Sequence, residues 1–139
     1  MKGILLLSHG NMAHGMLQSS SLFFGENYEQ VHALDFQIDG DVSEFEAEIG
    51  KAIEALDSGD GVIVLTDLFA GTPAHKTTAF LREGVDVICG MNFPMFLELL
   101  GLRMSGCEID IEALMETGRN GICRWAPEPS AMSNDLFDE

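Results

Sequence analysis

Basic residues are scarce in this sequence: 7 Lys and Arg stand against 23 Asp and Glu, for a formal net charge of −16. Such a surface repels nucleic acid and anionic membrane, where binding depends on neutralising phosphates with Lys and Arg. It suits a basic protein partner met by electrostatic steering, and it also serves plain solubility. Long apolar runs are missing too. None approaches the ~20 residues of a membrane helix. The run Met1–Leu7 is broken by Ser8-His9-Gly10, where a signal core would continue. A cytoplasmic protein is the expectation. Cysteine is limited to Cys89, Cys107 and Cys123, widely spaced and without a Cys-x-x-Cys pair. This argues against a disulfide framework or structural zinc, and predicts reduced, mostly buried thiols. Neither Gly-x-Gly-x-x-Gly nor Gly-x-x-x-x-Gly-Lys occurs. Nucleotide binding therefore lacks support, and no cofactor is expected.

What is present is an alternation of apolar strands and amphipathic helices. At 139 residues the chain is the size of one domain with a real core. Residues 3–7 form an all-apolar run of the kind buried on both faces of a sheet, and residues 61–66 form another. Residues 31–36 and 85–89 read as further strands, and 121–125 as a last short one. Val42, Phe45, Ile49, Ile53 and Leu56 recur every three or four residues, forming one apolar helix stripe. Asp41 is its N-cap, and Gly59 lies just past its end. Helices are also predicted over 12–24, with Met12, Met16, Phe23 and Phe24 available to pack, and over 73–82, 94–102 and 109–115. Thr72-Pro73 reads as a hydroxyl cap followed by proline at the first helical position.

The alternation implies a three-layer α/β fold, a mostly parallel sheet covered by helices on both faces. Residues 1–126 form one domain. The tail 127–139, with two prolines and several acids, is expected to be disordered.

In such sheets ligands bind beyond the carboxyl ends of the strands. Three loops leave strands there: Ser8-His9-Gly10-Asn11, Asp67 to Pro73, and Gly90 to Met95. The first two have the makings of a phosphohistidine site. A neutral imidazole attacks phosphorus with one nitrogen only if the other keeps its proton and donates it to something fixed. Asp67, ending a neighbouring strand, is the candidate acceptor for His9. The helix start after Thr72-Pro73 offers backbone N–H groups to phosphate oxygens, with the Thr72 hydroxyl alongside. Gly71 and Gly10 let backbone approach closely. The nearest basic residue is Lys76, and a carrier has reason not to clamp a group that it must pass on.

Plainer readings stand beside these. A histidine after a strand often serves structure, Asp67 can cap a turn, and Thr72-Pro73 is an ordinary helix start. His9 and His14 make a poor metal pair, having the wrong spacing for one helix face and no further ligands. His14 reads as packing or surface, His32 as an ordinary strand residue, and Met91, Met95 and Met104 as core filler.

Ser8-His9-Gly10 with Ala13 and Gly15 resembles the SHG…A.G motif of the mannose-family IIA components of the bacterial phosphoenolpyruvate-dependent sugar phosphotransferase system. Asp67-Leu68-Phe69-Ala70-Gly71-Thr72-Pro73 resembles that family's D…GGSP loop. Gly90-Met91-Asn92-Phe93-Pro94-Met95 resembles its G.N.PM segment, and Asp35-Phe36 before an acidic helix also fits. The likeness spans about residues 1 to 125.

The resemblance implies sheet order 2-1-3-4 and a homodimer exchanging an antiparallel C-terminal edge strand, here residues 119–125. It implies a phosphotransferase in which His9 accepts a phosphoryl group from HPr and passes it to a IIB component. Membrane IIC and IID partners would then act indirectly in sugar uptake. Asp67 would orient His9, and Thr72 would replace the family's serine as a phosphate donor group. Two departures are Ala70 in place of a glycine and His75 in place of a common Asn. The alanine costs little if its φ is negative, and His75 is read as a surface residue.

Three other functions compete. One is a regulatory module reporting phosphorylation state. Another is the phosphoryl-donor subunit of dihydroxyacetone kinase, against which Gly10 argues, since that family usually lacks glycine after the histidine. A metal hydrolase is the weakest.

Overall fold

The computed structural model describes residues 1–26 and 29–126. Four strands, β1 (Gly3–His9), β2 (Val31–Phe36), β3 (Val62–Thr66) and β4 (Val85–Cys89), alternate with helices. The helices are α1 (Met12–Phe24), α2 (Val42–Leu56), α3 (Thr72–Thr77), α4 (Phe93–Met104) and α5 (Ile111–Asn120). The sheet is parallel throughout, in the order β2-β1-β3-β4.

Strand periodicity explains the layers. In β1, Ile4 and Leu6 face one way and Leu5 and Leu7 the other. The first pair, with Ile63 and Leu65 of β3, packs against Ala13 and Met16 of α1, Phe96 and Leu99 of α4, and Leu114 of α5. The second pair, with Val62 and Val64, packs against Phe45, Ile49 and Ile53 of α2. β1 and β3 are buried along both faces, which is why their sequences are continuously apolar.

At the amino end of the sheet, opposite the candidate site, Arg103 ties the floor together. Its guanidinium donates to the carbonyls of Lys2, Gln30 and Glu29. Partial burial draws its pKa below the ordinary arginine value.

Several expectations need correction. The α2 stripe holds at Phe45, Ile49, Ile53 and Leu56, but Val42, at the first helical position, is exposed. Asp41 caps this helix, accepting from the Glu44 N–H at 3.0 Å, and the C-cap is Asp57, with Gly59 just past it. In α1, Met16 is buried but Met12 and Phe23 lie on the solvent side. α3 ends at Thr77, followed by a single 3₁₀ turn at Thr78–Phe80. The hydroxyls of Thr77 and Thr78 bond back to the carbonyls of Ala74 and His75, a side-chain competition that shortens helices. α5 extends to Asn120, capped at its start by Asp110, so Arg119 and Asn120 are helical rather than extended. Residues 122–126 pair with no strand among the described residues, and Ile122 and Trp125 are exposed. The predicted tail lies outside the described residues. Cys89 is half-buried while Cys107 and Cys123 are exposed, so the thiols are not mostly buried. Met91 and Met95 are core residues, but Met104, in the last turn of α4, is exposed.

Candidate functional site

His9 ends β1, between the ends of β2 and β3. The parallel register places Leu7 opposite Thr66, and Asp67, the next residue on β3's side, continues the ladder by donating its N–H to the Leu7 carbonyl. This brings together two residues 58 positions apart. Asp67 Oδ2 lies 2.9 Å from His9 Nδ1 and accepts the His9 backbone N–H, also at 2.9 Å. Its other oxygen accepts the Leu68 N–H at 2.9 Å. The carboxylate thus holds three donors and is 9% exposed, while the imidazole is 43% exposed. A carboxylate tied down by backbone on both oxygens orients a ring and cannot follow it away.

Nδ1 against an acceptor leaves the ring proton there and the Nε2 lone pair outward. Gly71 shapes the space beside Nε2. A Cβ at this position would stand 2.8 Å from Nε2 and 2.7 Å from Cε1, so only a glycine lets the ring lie there. Its φ of +103° and ψ of 173° form a second requirement for glycine. Gly71 is the N-cap of α3, which makes Thr72 the first helical residue and Pro73 the second. The expected hydroxyl cap is therefore absent, and the Thr72 side chain is not spent on the helix end. The N–H groups of Thr72 and Ala74 have no intrahelical acceptor, and Pro73 has no N–H to leave unpaired.

Gly10 has a left-handed φ of +59°, which favours glycine, and no other protein atom lies within 4 Å of a Cβ built there. Its N–H donates to the Phe36 carbonyl, fixing the loop to β2. Ala70 does not fall in the left-handed region, since Gln30 is the one non-glycine with positive φ among the described residues. The loss of the family's first glycine therefore carries no backbone strain. His75 is exposed, in keeping with a surface residue. Lys76 pairs with Glu46 at 3.5 Å, turned toward α2. Leu68 and Phe69, which follow Asp67 in the chain, are exposed at 56% and 88%.

Two features escaped the sequence reading. Ser8 is fully buried, and its hydroxyl donates to the Gly10 carbonyl and accepts the Ala13 N–H at 2.7 Å, doing the capping that Asn11 does not do. A serine five residues before the amide it accepts lies outside the usual capping spacing. His14 is exposed, as a surface residue, but it is not free: its Nδ1 lies 2.6 Å from Asp35 Oδ2. The third loop serves structure. Asn92 caps α4 through the Met95 N–H and donates to the Gly118 carbonyl of α5.

An open parallel sheet with a carboxylate-held histidine at its carboxyl end, beside a glycine-led helix start, defines an α/β protein with a candidate site at the mouth of the sheet. The chain belongs to the family of phosphotransferase-system (PTS) fructose IIA components, EIIA-man, whose model matches residues 3–117. The PTS fructose-specific EIIA component of Bacillus subtilis is 28% identical over 105 residues, covering 74% of this chain and 71% of that protein. The mannose-specific EIIAB component of Escherichia coli K12 is 30% identical over 128 residues, or 86% of this chain but only 38% of that longer protein.

Solved structures agree. A PTS IIA protein associated with the fucose utilization operon of Streptococcus pneumoniae superposes with a TM-score of 0.81 at 33% identity, covering 88% of this chain and 92% of that one. The mannose/sorbose-specific IIA subunit of Enterococcus faecalis gives 0.77 at 25% identity, covering 92% and 98%. The chain is a IIA component of the sugar phosphotransferase system, a class that acts in phosphoryl transfer. Among the described residues no helix is long and apolar enough to cross a membrane.

Proposed function

We propose that this chain carries phosphoryl groups on His9 Nε2, taking them from phospho-HPr and passing them to a IIB component for sugar uptake. The observation that carries this reading is the His9–Asp67 pair, with Nε2 turned toward the glycine-led start of α3.

The Nε2 lone pair attacks phosphorus as the N–P bond to the donor's imidazole breaks. The donor ring, protonated on its other nitrogen, leaves as neutral imidazole. His9 becomes the phosphoimidazolium, its Nδ1 proton held by Asp67. The positive charge that develops on the ring faces a nearly buried carboxylate, which stabilises it without taking the proton. The N–H groups of Thr72 and Ala74 and the Thr72 hydroxyl receive the phosphoryl oxygens. No arginine or lysine clamps them, and the reverse step to the next carrier stays accessible.

The same reading places the chain in the cytoplasm and in a homodimer. β4 is an edge strand, and a groove of about 420 Å³ lined by Phe69, Leu81 and Val87 runs beside it. A partner's unpaired residues 122–126 would add an antiparallel strand there.

The test is reconstitution with phosphoenolpyruvate, enzyme I and HPr. An acid-labile, base-stable phosphate should map to the peptide containing His9 and discharge on addition of a IIB component. No labelling, or labelling that no IIB discharges, overturns the proposal.

A second expectation concerns Gly71→Ala. The new Cβ displaces the His9 ring, and a misplacement of about 1 Å costs roughly 10²-fold in rate. The strained φ adds a loss of about 1–2 kcal/mol in stability. Quench-flow transfer rates and urea unfolding check the two effects separately; a wild-type rate would show that Nε2 does not lie over Gly71.

A further inference from the structure

β1 is flanked by two carboxylates, and each holds a histidine. Asp67 follows β3, while Asp35 stands near the end of β2, opposite Ser8 in the register. Neighbouring strands lie ~4.8 Å apart, so the two acids stand roughly 10 Å from each other across the end of β1.

The pairs are alike in detail. His14 Nδ1 faces Asp35 Oδ2 at 2.6 Å, as His9 Nδ1 faces Asp67 Oδ2 at 2.9 Å. The His14 and Asp35 side chains are 56% and 12% exposed, against 43% and 9% for the first pair. In both, the acid is nearly buried, the ring is open to solvent, and Nε2 has no hydrogen-bond partner among the described residues. The other two histidines, His32 and His75, are exposed and face no carboxylate among the described residues.

Two further observations point the same way. Asp35 Oδ1 is buried without a hydrogen-bond partner among the described residues, so the ring proton of His14 is the side chain's one donor. The carboxylate is thereby committed to Nδ1–H, and the Nε2 lone pair is left outward. His14 also lies in the first turn of α1, a 13-residue helix whose positive end favours a bound anion.

We infer that His14, paired with Asp35, is a second phosphoryl-accepting histidine of this chain, open to donors of the phosphoramidate or phosphoimidazole class. With phosphoramidate, Nε2 attacks phosphorus, the P–N bond breaks and ammonia leaves with its three protons. The ring keeps its Nδ1 proton, and the positive charge that it acquires is set against Asp35 rather than in open solvent. This inference rests on the geometry of the second pair and does not depend on transfer from HPr to His9.

Phosphoramidate itself is the probe, with wild type, His9→Ala, His14→Ala, the double variant and Asp35→Asn compared. Acid-labile label is mapped by peptide, with His32 and His75 as internal controls for unassisted reaction. In His9→Ala, label should appear at residue 14 about tenfold faster than at His32 or His75. Asp35→Asn should remove that advantage while His9 labels at the wild-type rate, which also reports that the variant is folded. Labelling of residue 14 no faster than that of the two controls, or unaffected by Asp35→Asn, overturns the inference. Failure of His9 alone to label would count against the carrier proposal and leave this one standing.

Discussion

In the His9→Ala variant, transfer from phospho-HPr to a IIB component should fall by roughly 10⁴-fold or more, to assay background. Beside Gly71 and the start of α3, Thr72 has only an unactivated hydroxyl, Lys76 is paired with Glu46, and His75 has no carboxylate facing it among the described residues to fix its tautomer. His14 lies on the opposite flank of β1, so it cannot place a phosphoryl group against the α3 amides. The loss would not reflect unfolding. The ring makes a single hydrogen bond and is 43% exposed, and Asp67 keeps its two backbone donors. Stability should change by about 1 kcal/mol, visible as a small shift in thermal midpoint. Appreciable onward transfer by this variant would remove His9 from the mechanism.

Asp67→Asn is expected to slow transfer by roughly 10²- to 10⁴-fold while the protein remains folded. The reason lies in the three donors that the carboxylate accepts. An amide has one acceptor oxygen, so it cannot serve the Leu68 N–H on one side and both the His9 N–H and ring N–H on the other. Turned one way, its NH₂ confronts the Leu68 N–H. Turned the other way, it confronts the His9 backbone N–H and donates to Nδ1, forcing the ring proton onto Nε2, where the lone pair should be. The first arrangement costs stability of about 1–3 kcal/mol, and the second disables the nucleophile. Single-turnover transfer rates with a parallel urea titration separate them. A full-rate variant would mean that Asp67 neither selects the tautomer nor stabilises the charged ring.

The strands and the carboxyl-end loops were legible in the sequence because their causes are local. A strand buried on both faces must be apolar at every position, as Leu5, Leu6 and Leu7 are; a helix with one buried stripe repeats at three and four, as Phe45, Ile49 and Ile53 do. The candidate pair His9 and Asp67 was legible as two loop residues after apolar strands, and the family motifs set them together. The short α3, the extension of α5 through Asn120 and the open segment 122–126 were not. Each depends on backbone bonding that composition does not reveal, such as the Thr77 and Thr78 hydroxyls bonding back into α3.

By itself, then, the sequence determined the alternating architecture, the loops beyond the carboxyl ends of the strands, and His9 as the candidate residue among them. Tertiary structure alone decided which nitrogen of His9 faces outward, because that follows from strand register, which sets Asp67 within 2.9 Å across 58 residues. It decided that Gly71 rather than Thr72 is the N-cap of α3, through a torsion and a contact with the His9 ring. It alone joined His14 to Asp35, 21 residues away in the chain, since a contact between a helix and a strand depends on how α1 packs on the sheet and leaves no periodic mark in the sequence.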